Sequence, residues 1–380
     1  MGSNMFTLTE NILIKEIEIY TLKIPLKKPI KMAGIVVDSA ENLFVKIISQ
    51  NDTYGWGEAS SAPTMTGEFS HGMFSAALFL KNFLINKTLT SLNDLDILKK
   101  SPLYENKGTK SAFEIALLDL MAKENNIPLF QLFASQSKRH SIPIIKMVAG
   151  KTISEELDDF KKALDEGFTK FKIKVGSNDA KTDLNRCSSI SKIGHDKCFF
   201  SADANEGFSD EDAAEFAKKA KDAGISFFEQ PIKASEKNKI TEITAFSSVP
   251  TCSDEGVHSI NDVIEIGENS ITSGLSLKTI KLGGAYEAYK CGEKANELGL
   301  NINLSGKVAE TSIASFAISH VAQAITQANW DLSITNQYLV EDPVTKNLKI
   351  SNGQINFENT VGLGTELDIS KASKFIQQSN

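Results

Sequence analysis

Three runs between residues 171 and 229 decide the fold: Phe171-Lys-Ile-Lys-Val175, Cys198-Phe-Phe-Ser-Ala-Asp203 and Ile225-Ser-Phe-Phe-Glu229. Each is short and apolar, of strand length, and carries charge at or near its end. Amphipathic segments fit between runs of this kind, as Glu155–Glu166, Asp210–Ala223 and Glu287–Leu298 do. Gly167, Gly224 and Gly299 stand where a helix ends in a left-handed residue. Extended in both directions, the rhythm predicts strands over 142–149, 171–175, 198–203, 225–229, 249–253, 275–280, 301–304 and 329–332. Eight strands alternating with helices over about 200 residues is the pattern of a (β/α)8-type barrel. A doubly wound open sheet competes, but no GxGxxG follows the first strand of this region.

The flanks have another texture. Ile12, Ile14, Ile17 and Ile19 mark one strand and residues 43–48 a second, with a polar loop expected from Lys27 to Ser39. A loop rich in Gly, Ser, Pro and Thr follows over 55–68, then helices near 70–86, 91–100 and 109–125. After Glu341 the chain shows strand-like Leu348-Lys349-Ile350 and turn glycines, without the barrel rhythm. We therefore expect an α/β protein: a (β/α)7β TIM-type barrel over 141–340, and an α+β domain over 1–140 completed by residues 341–380.

Composition narrows the function. In 380 residues, 41 Lys+Arg stand against 48 Asp+Glu, a formal charge of −7, with 41% apolar and 23% charged residues. Disordered and fibrous chains are excluded. No basic block offers a footprint for nucleic acid or anionic membrane, so neither is an expected partner. Cys187, Cys198, Cys252 and Cys291 are scattered without a CxxC pair, which suits a reducing compartment. Met73–Ile85 is too short to span a bilayer and contains Lys81 and Asn82. Charges at Glu10, Lys15, Glu16 and Glu18 leave no signal-peptide core, so a cytoplasmic enzyme of small molecules is expected.

In a barrel, residues that end strands face the active-site mouth. Here those positions are polar: Lys172-Ile173-Lys174, Asp203-Ala204-Asn205, Glu229-Gln230-Pro231, Asp254-Glu255 and Lys278, then Ser305-Gly306-Lys307 and Asp331. Lys174, Asp203, Glu229, Asp254 and Lys278 follow one another at 29, 26, 25 and 24 residues. Each interval is one strand plus one helix, so the five side chains converge. Taken singly, each reads as a solvated loop charge; five in register do not. Three converging carboxylates repel without a cation, and hard oxygen donors suit Mg²⁺. A lysine on each side of such an ion suits removal of a proton α to a carboxylate, whose enediolate concentrates charge on oxygen. The base must be neutral, and Lys172 beside Lys174 favours that by like-charge repulsion.

Together these motifs, with Gly283-Gly284, resemble the enolase superfamily, in its muconate-lactonizing subgroup of muconate cycloisomerases, dipeptide epimerases and o-succinylbenzoate synthases. The resemblance spans nearly the whole chain. It implies that Asp203, Glu229 and Asp254 hold Mg²⁺, and that Lys174 and Lys278 are the acid/base residues on opposite substrate faces. It further implies that Lys172 tunes Lys174 and touches the substrate carboxylate, with Asn205 and Glu255 supporting the metal and Lys278. The α+β domain becomes a capping domain whose mobile loops, 27–39 and 55–68, close over substrate; a homo-oligomer is expected.

Residues 62–68 are similar to dipeptide epimerases, which favours a racemase or epimerase of an amino-acid-derived or dipeptide-like carboxylate. Those enzymes hold the substrate ammonium with Asp-x-Asp at strand eight, where this chain has Asp331-Leu332-Ser333. Glu310 fits the subgroup as a substrate-binding residue. Lys307 is an added cation that meets either a second anionic group or solvent. A cycloisomerase or syn-dehydratase using one lysine is the alternative. A barrel glycosidase using Glu229 and Glu310 leaves Lys174 and Lys278 without roles, and a non-catalytic metal-dependent binding protein with the same pocket would bind ligand without exchanging its α-hydrogen. His195 and His258 are assigned no part.

Overall fold

The structure, a computed structural model, describes residues 6–32, 35–194 and 197–380; His195 lies outside them. Among these residues eight parallel strands form one sheet in chain order. They are Ile145–Val148, Lys170–Lys174, Phe199–Asp203, Phe227–Glu229, Thr251–Ser253, Gly274–Leu277, Asn301–Ser305 and Leu332–Ser333. A parallel bridge between Ile144 and Leu332 returns the last strand to the first and closes a barrel. The doubly wound alternative falls with it.

Helices such as Ile153–Asp165, Asp210–Lys219 and Ile260–Glu268 connect the strands. Their start points are chemical: the side chains of Thr152, Ser209 and Ser259 each accept from a backbone N–H in the first turn. Gly167, Gly224 and Gly299 carry φ of 87°, 81° and 72°, beyond the helix ends as expected. Phe160 packs edge-on to Phe171 at 4.6 Å between helix and barrel, while Trp330 stacks on Phe227 at 4.2 Å. Register then aligns the strand ends, pairing Lys174 with Asp203 and Asp203 with Glu229.

The N-terminal residues build an antiparallel sheet from Thr7–Met32, Ile35–Ser49 and Tyr54–Ser60, with Ile376–Ser379 on its edge. A register shift between Ile14 and Glu16 keeps Ile12, Ile14, Ile17 and Ile19 all buried despite their broken alternation. The expected polar loop at 27–39 is instead a hairpin arm, with Ile30 paired to Val37. β-Branched Ile30, Val36 and Val37 sustain the ladder across the polar residues there. Residues 33 and 34 lie outside the described residues.

Gly55-Trp56-Gly57-Glu58 is also not the mobile loop that the resemblance implied. It is a buried strand pressed against helix Lys107–Glu124, and a Cβ on Gly57 would fall 1.9 Å from the Ala112 carbonyl oxygen. The loop proper starts only after Ser60. In the tail, the strand is Gln354–Asn356 rather than 348–350, and it pairs with Ser141–Pro143. That pairing takes 142 and 143 out of the first barrel strand expected over 142–149.

Two buried acids, Glu58 and Glu114, bolt the two parts together through unpaired helix N–H groups, and a third, Asp119, ties strand Tyr54–Ser60 to the C-terminal tail. Glu58 accepts from Thr311 and Ala314, Glu114 from Tyr286 and Glu287, and Asp119 from Trp56 and Leu363. Burial pushes the carboxyl of Glu58 up to about 7 and that of Glu114 up to about 8, against the pull of those N–H groups. All four cysteines are free. No described helix is long and apolar enough to cross a membrane.

Candidate active site

Strand two presents Lys172 and Lys174 two residues apart, on one face of the strand. Strands three and four end on Asp203 and Glu229. Strand five stops at Ser253, which leaves Asp254 and Glu255 at its mouth. Strand six ends at Leu277, not at 280 as expected, because the chain turns into a helical turn at Thr279–Leu282. Gly283, at φ 92°, closes that turn, and Lys278 stands at its start.

The lysines and acids interlock. Lys172 Nζ lies 2.6 Å from Glu229 and 3.5 Å from Asp203; Lys174 Nζ donates to Asp203 at 2.6 Å and to Asn205 Oδ1 at 2.5 Å. Lys278 Nζ meets Asp254 Oδ2 at 2.5 Å, and Lys281 Nζ meets Asp254 Oδ1 at 2.6 Å while also donating to the Asp254 carbonyl. Asn205 Nδ2 donates to Glu255 at 3.0 Å, and Ser276 Oγ to Glu229 at 3.0 Å. Four ammonium groups thus face four carboxylates, and all of these acids are buried or nearly so.

Burial alone would lift every carboxyl here, yet Lys278 and Lys281 hold Asp254 well below the carboxylate range. Lys174 and Lys172 hold Asp203 down in the same way. Glu229 remains raised by burial and by the neighbouring Asp203 and Asp254 charges. Burial lowers Lys172, but Glu229 and Asp203 outweigh it and hold the ammonium well above its usual range. Glu255 is pushed up to about 7 by burial and by Asp254.

Among the described residues, no three His, Cys, Asp or Glu side chains are gathered as a ready-made metal cage, since the carboxylates turn onto the ammonium groups. The donor chemistry nevertheless fits a hard divalent cation. Asp203, Glu229 and Asp254 are buried oxygen donors on successive strands, near enough to raise one another's proton affinity.

A cavity opens over this network. Lys172, Lys174, Lys278 and Lys307 line it, and Met65 reaches it from the 61–69 turn of the N-terminal part. Glu310 lies buried behind Lys307, its carboxyl pushed up to about 8 by burial and by Glu58. A larger cleft of about 1280 Å³ runs under the C-terminal tail beside Phe316 and His320, away from the strand ends.

Residues 155–372 match the enolase C-terminal domain-like family, and residues 15–134 match the mandelate racemase / muconate lactonizing enzyme N-terminal domain. The chain belongs to this family. It is an isomerase-type enzyme of the enolase superfamily, so the glycosidase and non-catalytic alternatives give way. The L-Ala-D/L-Glu epimerase of Bacillus subtilis is 29% identical over 361 residues, 92% of this chain and 96% of the relative. A chloromuconate cycloisomerase of Pseudomonas putida is 25% identical over 372 residues, 95% and 98% of the two chains. A dipeptide epimerase of Cytophaga hutchinsonii, solved with Mg and D-Ala-L-Val, superposes with TM-score 0.90 at 25% identity, covering 97% and 99% of the chains.

Within this family member, one expected site residue is elsewhere. Asp331 precedes strand eight and pairs with Lys170 at 3.1 Å, at the start of strand two, so it sits at the barrel floor. The mouth of strand eight instead offers Ser333 and Thr335. Strand eight is only Leu332–Ser333, shorter than the expected 329–332, so the acid precedes it rather than ending it. Lys281, fully buried against Asp254, is hidden in sequence by the apolar run over 275–280, and the turn glycines Gly283-Gly284 are its one signal. Tyr338, beyond strand eight, lines the cavity with no sequence signal. His258 donates from Nε2 to the Glu255 carbonyl oxygen, 2.8 Å away, and is not among the residues that line the cavity.

Proposed function

We propose that this site removes the proton α to the carboxylate of a small-molecule substrate and returns a proton to the opposite face. The reaction is then racemisation or epimerisation of an amino-acid-derived carboxylate. The observation that carries this reading is the pairing of Lys174 and Lys278. They come from strands two and six, each is bonded to a different carboxylate of the acidic set, and both line one cavity. Epimerase relatives that span more than nine-tenths of the chain support it.

In this reading Asp203, Glu229 and Asp254 hold Mg²⁺, which supplies positive charge where the enediolate oxygens develop theirs. Lys174 in its neutral form takes the proton from one face, and the Lys278 ammonium delivers one to the other. Substrate binding frees Lys174 from Asp203 for that work. Lys172, held positive by Glu229 and Asp203, stays a fixed cation beside the substrate carboxylate. Glu310, with its carboxyl up to about 8, is protonated at neutral pH and backs Lys307 without bringing a negative charge to it. Asn205 and Glu255 steer the metal side of Lys174 and Lys278.

Incorporation of deuterium at the α-carbon in D₂O with Mg²⁺ tests the reading, across N-acylamino acids, dipeptides and other carboxylates. Absence of α-exchange in every substrate that binds sinks it. A one-base cycloisomerisation or syn-dehydration is the second reading. It is favoured by Ser333, which leaves strand eight without an acid for a substrate ammonium. Exchange from a single face, with Lys278 needed only as a fixed charge, would select it.

A further inference from the structure

We propose that Lys307 and Ser333 together bind a second carboxylate of the substrate, so that the enzyme acts on an N-blocked dicarboxylate rather than on a dipeptide with a free ammonium. This rests on the α-proton reading above and specifies its substrate class.

Two independent orphans carry it. Lys307 is buried and lines the cavity, yet among the described residues no carboxylate lies within the 4.0 Å ion-pair distance of its ammonium. Its one hydrogen-bond contact is the neighbouring Val308 carbonyl, long at 3.5 Å. The other three cavity lysines all have acid partners. Ser333 is a lining residue of the same cavity and supplies the second orphan, since its hydroxyl oxygen is buried just behind the cavity wall with no hydrogen-bond partner among the described residues. The two residues belong to adjoining strand ends, tied by Gly306 N–H to the Ser333 carbonyl at 2.8 Å and by Thr335 Oγ1 to the Lys307 carbonyl at 2.6 Å.

A buried ammonium without a counter-charge is costly unless a ligand brings one. One ammonium and one hydroxyl match a carboxylate. A phosphate dianion recruits more donors, typically several N–H groups or a guanidinium fork. The acid expected near strand eight is on the barrel floor, and Ser333 and Thr335 offer a substrate ammonium no charge at the mouth. Met65, Met147 and Ile334 wall the space between, which suits a short apolar spacer.

The test measures calorimetric binding to the Mg²⁺-loaded protein for two matched pairs, alongside α-deuterium exchange. The pairs are N-succinyl- against N-butanoyl-L-alanine, and N-acetyl-L-glutamate against N-acetyl-L-glutamine. We expect the dicarboxylate of at least one pair to bind about 30-fold more tightly, a preference that falls below about threefold in Lys307→Met and is partly kept in Lys307→Arg. Ser333→Ala should lose about three- to fivefold of it, the worth of one hydrogen bond. Lys307→Gln serves where the Met variant does not fold. Equal binding within both pairs, no binding of either dicarboxylate, or a preference that survives loss of the lysine overturns the proposal. A lysine-dependent preference without any α-exchange supports this site and overturns the reaction reading instead.

Discussion

Two arcs of the barrel mouth are built on opposite principles. From strand two to strand six, every buried ammonium touches a carboxylate: Lys172 and Lys174 on Glu229 and Asp203, Lys278 and Lys281 on Asp254. Across strands seven and eight, Lys307 has no acid within ion-pair distance and the Ser333 hydroxyl has no hydrogen-bond partner among the described residues. The first arc is internally compensated, so each of its charges has a partner before any substrate arrives. Preorganised charge of that kind is what a reaction that builds up oxyanion character requires. The second arc is uncompensated and can be completed only from outside. In the proposed reading, one arc serves chemistry and the other choice of substrate.

The largest effect belongs to the acids. Asp254→Asn or Glu229→Gln should lower turnover at least about 1,000-fold, since each removes a metal donor and strands a buried ammonium. Circular dichroism should show the barrel intact, and Mg²⁺ titration should show no saturable activation. Activity within tenfold of the parent would remove the first arc from the chemistry. Next come the two lysines. Lys174→Ala should stop α-exchange from one enantiomer by about 100- to 10,000-fold while sparing the other, and Lys278→Ala should do the reverse. Full exchange of both enantiomers in Lys278→Ala would break the two-base assignment.

The arcs also differed in how well the sequence disclosed them. Lys174, Asp203, Glu229, Asp254 and Lys278 recur at one strand plus one helix, so chain spacing alone puts them on one rim. That regularity depends on strands with a clear end. Strand six lacked one, because β-branched Thr279 and Ile280 prolong its apolar run, whereas Gly283 and Gly284 force a helical turn that swings Lys281 under Asp254. Strand eight is only Leu332–Ser333, too short to show which end an adjacent acid belongs to. In the N-terminal part, Gly55 and Gly57 looked like loop residues. They are glycines because helix Lys107–Glu124 leaves no room for a Cβ, a long-range cause that local pattern does not carry.

Lys281 tests whether the first arc needs its inner support. It touches no cavity, but it holds one Asp254 oxygen while Lys278 holds the other. Lys281→Met should raise the Mg²⁺ concentration for half-maximal activity about 10- to 100-fold, as loss of a metal ligand's outer partner does, with Lys281→Arg recovering part. An unchanged Mg²⁺ requirement, with only a lowered melting temperature, would make Lys281 a packing residue.

The second arc should betray itself by pH. Burial, helped by Lys278 and opposed by Glu310, brings the Lys307 ammonium down to about 8. A lysine is charged below its pKa, so preference for a dicarboxylate should be full at pH 6–7. It should then fall as pH rises past about 8, approaching tenfold per unit, with the limb absent in Lys307→Met. In the free protein the same depression makes stability rise with pH between about 8 and the ordinary lysine value, where the unfolded chain still binds the proton. A dicarboxylate preference flat to pH 10 would place its charge on another group.

The smallest effect concerns the floor, below both arcs. Asp331 adopts φ 56° and pairs with Lys170, the two side chains 12% and 26% exposed. Burial raises its carboxyl and Lys170 opposes that rise, while its place at the start of strands two and eight keeps the pair away from the mouth. Asn is the informative replacement, because it tolerates the left-handed backbone as well as Asp and removes only the charge. Asp331→Asn should therefore cost about 1 kcal/mol, the upper range for a partly exposed pair, and shift the melting midpoint by a few degrees. Kinetic constants should stay within about twofold, because strand eight separates this carboxylate from the cavity and its charge is already neutralised by Lys170. Ser333→Asp, two residues on, gives the contrast. It places a negative charge beside Lys307 at the mouth, pairs with that ammonium, and should erase the dicarboxylate preference that Asp331→Asn leaves untouched. If instead the floor substitution alters substrate choice, strand eight runs through the mouth in a different register, and the line between the reacting and selecting arcs must be redrawn.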